Sequence, residues 1–223
     1  FSVKELALLK TFAEQAVIAI QNARLFNDTK EALEQQKASA EVLNVISQSV
    51  ADTTPVFEKI LDSCKGLFAT DEIGLLLVGE DGLLHMGAFG GLRGTMIETF
   101  RKLLPRPLSE TTTGIAIRQR QPVYIPDMLG AADAQAVSRA SAEQVGNYSV
   151  VVAPMLWEDS GVGSILVVRQ PPQPFSDKEI ALLKTFADQA VIAIQNVRLF
   201  KEAQAARAAA EAANEAKSSF LAT

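Results

Sequence analysis

The chain is short of the residues that most often carry chemistry. It has one cysteine, Cys64, and one histidine, His85, among 223 residues. A lone cysteine excludes an internal disulfide and fits a reducing compartment. A lone histidine leaves no His-His or Glu-His spacing for a metal site. A Ser-His-Asp triad would have to be built on His85, and nothing around that residue favours it. The expectation is therefore no catalytic residue, no metal and no resident cofactor. Long apolar runs are missing too. The most apolar stretch, Ser149 to Met155, is the length of a strand, whereas a membrane span needs roughly 20 residues, so no direct membrane insertion is expected. Basic residues are outnumbered, 21 Lys and Arg against 26 Asp and Glu, which argues against a nucleic-acid surface. With 48% hydrophobic and 21% charged residues, the composition is that of an ordinary folded chain rather than a disordered one.

What the chain does have is a long repeat. Residues 1–26 read FSVKELALLKTFAEQAVIAIQNARLF and residues 175–200 read FSDKEIALLKTFADQAVIAIQNVRLF. Only Val3/Asp177, Leu6/Ile180, Glu14/Asp188 and Ala23/Val197 differ. Leu6, Leu9, Phe12, Ala13, Ala16, Val17 and Ile20 recur at steps of three and four, the pattern of one helix face. Ser2 with Glu5, and Ser176 with Glu179, form a capping-box pattern at the start of each copy. From Asn27 to Ser49 there is no Gly or Pro, so one long helix or two nearly continuous ones should cover residues 4–50. Ala19, Phe26, Leu33 and Ala40 fall seven apart and make a coiled-coil seam. After Phe200 the second copy continues as an Ala-rich helix. Leu199, Ala203, Ala206, Ala210, Ala213, Lys217 and Phe220 alternate steps of four and three, the a/d pattern of a two-stranded coiled coil. Such a face needs cover, and a second copy of the chain is the simplest supplier, so a homodimer is expected.

Between the copies the signals alternate. Thr54-Pro55 opens a helix to Phe68. Strands at 72–78 and 83–89 flank Gly79-Glu80-Asp81-Gly82, a hairpin turn. A helix is expected at 92–104, stopped by Pro105 and Pro107, then a short helix at 115–120, a strand at 123–125 and a helical stretch at 131–144. Strands at 148–157 and 163–168 flank a turn at 158–161. Hairpins make an antiparallel sheet, and helices before, between and after it make the class α+β. The outer helices should share one sheet face, and the central helices should cover the other and could roof a pocket.

These residues resemble a known family. Val150 to Trp157, Gly161 to Val167, Phe175 to Leu183 and Phe186 to Ile194 look like the C-terminal half of a GAF domain, a PAS-like fold. Pro107-Leu108-Ser109, Gly114 to Arg118 and Pro122 to Asp127 resemble its middle. The resemblance implies a domain over 42–200. It also implies that residues 1–41 are the terminal helix of a preceding GAF domain plus a helical linker. Ala216 to Thr223 resembles the segment ahead of the phosphoacceptor histidine in bacterial sensor histidine kinases. Residues 201–223 would then be a signalling helix leading into such a segment of a cytoplasmic sensor or hybrid kinase. The parent protein is then similar to a phosphotransferase, with the downstream kinase domains and, through them, a response regulator as partners.

Family geometry puts any small-molecule pocket between the sheet and the central helices. Leu76, Met86, Phe89, Met96, Phe100, Tyr124, Asp127, Met128 and Val152 are its candidate lining, though ordinary core accounts for most of them. The effector, if there is one, is unnamed by the residues. A haem sensor would need His85 as ligand, and a tetrapyrrole sensor would need an anchoring thiol, but Cys64 sits on the apolar side of its helix. The cyclic-nucleotide motif lacks its Asn-Lys at Val168-Arg169-Gln170. Arg93 and Arg101 could meet an anion. Gly87, Gly90, Gly91 and Gly94 lack phosphate-loop spacing. Three readings remain: a regulatory module relaying a signal through its long helices, a ligand-free dimerisation spacer in a tandem array, and a haem, tetrapyrrole or nucleotide sensor.

Overall fold

The structure, a computed structural model, describes residues 2–49, 51–70, 72–91, 94–132 and 134–221; the side chains of residues 3, 5, 7, 94–96, 212, 213 and 215–221 lie outside the description. The elements run α1 (Val3–Gln48), α2 (Thr54–Phe68), β1 (Ile73–Val78), β2 (Leu83–Gly90), α3 (Gly94–Leu103), β3 (Arg106–Pro107), α4 (Thr112–Gln119), β4 (Val123–Ile125), α5 (Ala136–Val145), β5 (Ser149–Trp157), β6 (Ser160–Arg169) and α6 (Asp177–Leu221). The chain divides into two units, Phe1–Ala40 and Glu41–Thr223. The first is the amino-terminal part of α1, whose described side chains are exposed from residue 2 through 34. The second holds a six-stranded antiparallel sheet in the order β3-β2-β1-β6-β5-β4.

Strand parity sorts the core into two layers, because successive side chains point to opposite faces. Leu76, Leu84, Val150, Val152, Leu166 and Val168 belong to one cluster together with Ala116 of α4 and Ala142 of α5. Their neighbours in sequence, Leu75, Val151, Ala153, Ile165 and Val167, are also buried, on the face that α2 and α6 cover. There α6 contributes Leu183, Phe186, Ala187 and Ala190, and α2 contributes Ile60, Cys64 and Phe68. A fold with both sheet faces covered explains why strands such as IGLLLV and SVVVAPM are apolar throughout rather than alternating.

Local chemistry explains most element ends. Pro55 opens α2, while Asp52 Oδ1 accepts from the Thr54 N–H at 3.0 Å and its hydroxyl at 2.8 Å. The first hairpin closes with Gly79 N–H donating to Leu83 O at 2.9 Å and Gly82 at φ 74°. At α6 the capping box is formed: the Glu179 N–H donates to Ser176 Oγ, and the Ser176 N–H donates to Glu179 Oε2 at 2.7 Å. Arg169, at the end of β6, binds the carbonyls of Phe68 and Pro174, pairs with Glu179 and lies over the Phe175 ring, 4.1 Å from its centre. One guanidinium thus joins the end of α2, the end of the sheet and the start of α6.

Burial pushes the Glu179 carboxyl upward, but the Ser176 N–H, the Arg169 guanidinium and the Ser176 hydroxyl outweigh it and hold it below the ordinary glutamate range. A depressed folded-state pKa contributes stability above the unfolded value and loses it as pH falls through the folded one. Urea unfolding of the protein and of Glu179→Gln should therefore differ at neutral pH. The gap should narrow below about pH 4.3, the ordinary glutamate value. A gap independent of pH would assign the effect to packing alone.

Four features depart from expectation. Arg106–Pro107 forms an edge strand against Leu83 and Leu84, where a proline's missing N–H costs nothing because it faces outward. The second hairpin is tighter than expected. Trp157 pairs with Ser160, so β6 starts at Ser160 and the loop is Glu158-Asp159, with Glu158 at φ 52°. The fourth helix begins at Thr112, capped by the Thr111 hydroxyl, rather than at Ile115. The fifth begins only at Ala136, after a loop in which Asp127 Oδ1 accepts from the Gly130 N–H at 2.9 Å and Asn147 Nδ2 at 2.8 Å.

Candidate functional site

The face of the sheet away from α6 encloses a cavity of about 70 Å³. Its floor is Leu76, Leu84, Val150, Val152, Leu166 and Val168; its roof is Phe100 and Leu103 of α3, Leu104 just after it, Thr111–Thr113 at the start of α4, Met128, and Val137 and Ser138 of α5. The strands supply branched aliphatic side chains, and the helix termini supply hydroxyls. The cavity is therefore apolar on the strand side and mixed on the helix side, where hydroxyls sit among Phe100, Leu103, Met128 and Val137.

Each of these hydroxyls is bonded within the protein, to another hydroxyl or to the backbone. Thr112 Oγ1 and Ser138 Oγ are 3.1 Å apart, linking α4 to α5. Thr113 Oγ1 and Ser164 Oγ are 2.8 Å apart and join α4 to the sheet. Thr111 Oγ1 donates to Leu108 O at 3.0 Å and accepts from the Gly114 N–H at 3.1 Å. Tyr148 donates to Ser138 O at 3.2 Å; burial pushes its phenol up to about 12, so it remains a donor at neutral pH. The charged group at the rim, Arg106, donates to Leu103 O and pairs with Glu110. Pockets for effector-sized molecules hold at least roughly 300 Å³. A cavity of about 70 Å³ would have to enlarge to admit one.

Of the residues expected here, Leu76, Phe100, Met128 and Val152 line the cavity. Met86, Phe89, Tyr124 and Asp127 do not. Tyr124 fails by parity: Val123 pairs with Val152 and Ile125 with Val150, so Tyr124 shares a face with Val151. It meets Phe175 edge-on at 5.8 Å and accepts from the Phe175 N–H. Asp127 is exposed and closes the loop before α5. Phe89 lies over Gly74, where a Cβ would come within 2.5 Å of its ring, and its ring centre is 5.8 Å from that of Phe100. Met86 pairs with Leu76 across β1 and β2 but remains half-buried at the sheet's edge. The Met96 side chain and Arg93 lie outside the described residues. The lining that sequence reasoning missed includes strand residues such as Leu84, Val150, Leu166 and Val168, and all of its hydroxyls: Thr111, Thr112, Thr113, Ser138 and Tyr148. Thr-Thr-Thr-Gly reads as a helix entry, which it also is.

His85 is not part of the cavity lining. Its Nε2 lies 2.9 Å from both Asp81 carboxylate oxygens on the exposed first hairpin, and hydrogen bonding to His85 holds Asp81 below the usual range. Cys64 is fully buried in α2, and burial pushes its thiol far up, the state of an inert core cysteine. Among the described residues no group of acidic, histidine or cysteine side chains could hold a metal ion, and no helix is long and apolar enough to cross a membrane.

The exposed faces of the two long helices, each taken by itself, are further candidate sites. Ala19, Phe26, Leu33 and Ala40 are exposed, as are Leu199, Ala203, Ala206 and Ala210; the side chains of Ala213 and Phe220 lie outside the described residues. Phe26 and Leu199 expose 70% and 60% of their surface. In α1 the buried Val42 and Ile46 continue a half-buried line through Gln35 and Ser39. Leu33 and Ala40 lie two residues, about 200° of helix rotation, from that line.

The GAF domain family model matches residues 52–194. No curated protein matches the chain. Solved structures share the fold. A domain of a protein named as a two-component sensor histidine kinase, from Sinorhizobium meliloti 1021, is 22% identical, with a TM-score of 0.55 over 68% of this chain and 96% of that one. The free methionine-R-sulfoxide reductase of Neisseria meningitidis, in complex with its substrate, is 19% identical, with a TM-score of 0.59 over 76% and 93%. A far-red absorbing domain with bound biliverdin IXa is 21% identical, with a TM-score of 0.55 over 72% and 99%. With the family model covering more than half of the chain and the sheet and helices arranged as in these structures, the chain belongs to the GAF domain family.

Proposed function

We propose that this chain is a sensory and regulatory GAF module that acts as a homodimer and relays a signal through α6 to histidine kinase domains further along the same chain, in the cytoplasm, and through them to a response regulator. The observation that carries this reading is the single helix Asp177–Leu221. Its first half is built into the sheet core, through Leu183, Phe186 and Ala190, and beyond it the described side chains at 201–211 are exposed. A change in how the core holds the first half rotates or tilts the second half, and a signal acts by favouring one of two packings a few kcal/mol apart. The opening repeat supports a GAF domain upstream. Leu8, Leu9, Phe12 and Val17 are 57%, 54%, 59% and 52% exposed, whereas their counterparts Leu182, Leu183, Phe186 and Val191 are 9%, 0%, 0% and 4% exposed.

Fusing the chain to a histidine kinase core and inserting residues after Phe200 tests the relay. Each inserted residue turns the downstream helix by about 100°. Kinase output should change over insertions of one to four residues, most at two, and return towards the parent value at seven. Output indifferent to insertion length would sink the relay. A second reading, the ligand-free spacer, is favoured by the small cavity and its mutually paired hydroxyls. It predicts a native mass spectrum with no added mass and the same kinase output whatever metabolite is supplied.

A further inference from the structure

The side of α6 that faces away from the sheet carries a pattern of its own. Ile192 and Leu199 lie about 180° around the helix from the inward-facing Ala190, at 100° per residue, and are 44% and 60% exposed. Half-buried Asn196 sits between them. Ile192, Asn196, Leu199, Ala203, Ala206 and Ala210 alternate steps of four and three, so the seam begins on the body of the domain and not beyond it. In a two-stranded coiled coil Ile192, Leu199 and Ala206 take the d positions, and Asn196, Ala203 and Ala210 take the a positions.

Two features of this face choose an orientation. A lone asparagine at an a position costs stability unless it meets the same residue across the seam, and it thereby specifies register. Only a parallel, unshifted pair places Asn196 opposite Asn196; other pairings bury its amide against Leu199 or alanine. The flanking charges agree. Glu202 falls at a g position and Arg207 at the e position five residues on, where parallel coiled coils place their interchain ion pairs. Both side chains are exposed, at 58% and 81%, and each now pairs within its own helix, with Arg198 and Glu211 respectively. An antiparallel pair would set g positions against g positions and e against e, and so lose the Glu202–Arg207 pairing.

The opening repeat carries the same triad. Ile18 and Leu25 are 56% and 64% exposed, and Asn22 between them is exposed too. Ala19 is out of phase with this stripe, because its counterpart Ala193 is 1% exposed in the core. The matching stripe on α1 therefore starts at Ile18 and not at Ala19.

The geometry points to a second copy of this chain docking along α6 in parallel and in register, Asn196 opposite the partner subunit's Asn196 and Glu202 opposite the partner subunit's Arg207. This rests on the dimeric reading above and adds its orientation and register. Cysteine cross-linking tests it, since Cys64 is buried and silent. Under mild oxidation Ala206→Cys, on the seam, should link into covalent dimers at least tenfold faster than Ala208→Cys, on the outer face. Adding Asn196→Val to Ala206→Cys should preserve association in analytical ultracentrifugation but lower that selectivity, as register relaxes. A dimer that links equally at both positions, or not at Ala206→Cys, overturns the parallel register and leaves the relay standing. Selectivity unchanged by Asn196→Val overturns the role of Asn196. A chain that sediments as a monomer at every concentration overturns this inference and the dimeric relay together.

Discussion

Phe186→Ala should lower the unfolding free energy by about 3–5 kcal/mol, whereas Phe12→Ala in the same chain should change it by less than about 0.5 kcal/mol. The two phenylalanines occupy nearly identical sequences, TFAEQAVIAIQN and TFADQAVIAIQN. Helix propensity, capping and unfolded-state behaviour are therefore almost the same for both, and only the surroundings differ. Phe186 is fully buried against the sheet; Phe12 is 59% exposed. Removing the first leaves a ring-sized cavity among Leu183, Ala187 and the β5–β6 strands, and removing the second leaves none. Urea melts of the two variants measure the difference directly. The pair also weighs the upstream-domain proposal. In a longer chain carrying that domain, Phe12→Ala should become as costly as Phe186→Ala, because the stripe would then lie on a sheet of its own. If Phe12→Ala is already costly in this chain, some other surface covers the stripe, with a second copy the first to examine.

The same comparison shows what the residues could and could not reveal. Signals that act within a few positions were legible. The Ser176/Glu179 capping box, the Asp-Gly hairpin, the three-residue strand Val123–Ile125 and the continuity of α6 all come from local chemistry. The cavity was only half legible, because it is assembled from strands far apart in sequence. In Val123-Tyr124-Ile125 every residue is apolar enough for either face, and only pairing with β5 decides that Tyr124 turns towards Phe175. Asp127 reads as a polar group before a pocket, yet its carboxylate is occupied by Gly130 and Asn147. The threonines at 111–113 are legible as a helix start. That they also wall a cavity depends on where α5 lies, which nothing nearby in the chain encodes. The long seams show the converse problem. A heptad can be counted in several phases, and only the burial of Ala190 and Ala193 shows which side of α6 is free.

Gly114→Ala should destabilise the domain by about 3 kcal/mol, against the usual sense of that substitution in a helix. Alanine is the better helix former by about 1 kcal/mol, and the ordinary case is present in this chain. Gly66 in α2 has nothing within 4 Å of a built Cβ, so Gly66→Ala should stabilise by about 0.5–1 kcal/mol. At Gly114 a Cβ would lie 1.8 Å from Leu108 O and 2.6 Å from the carbonyl carbon, and neither is a flexible side-chain end that can swing aside. The first turn of α4 is pressed onto the turn at 108–110, and the Thr111 hydroxyl bonds both of them. A methyl group there must prise the two apart, breaking that double contact and carrying Thr112 and Thr113 away from Ser138 and Ser164. Thermal unfolding of the two glycine variants should therefore move in opposite directions. The Gly114 variant should also show looser amide protection in α4 and α5 than the parent, because the Thr112–Ser138 link between them is lost. If both variants are stabilised, the turn at 108–110 yields cheaply. The wall of the cavity would then be soft enough to part for a ligand, and the regulatory reading would gain over the ligand-free spacer.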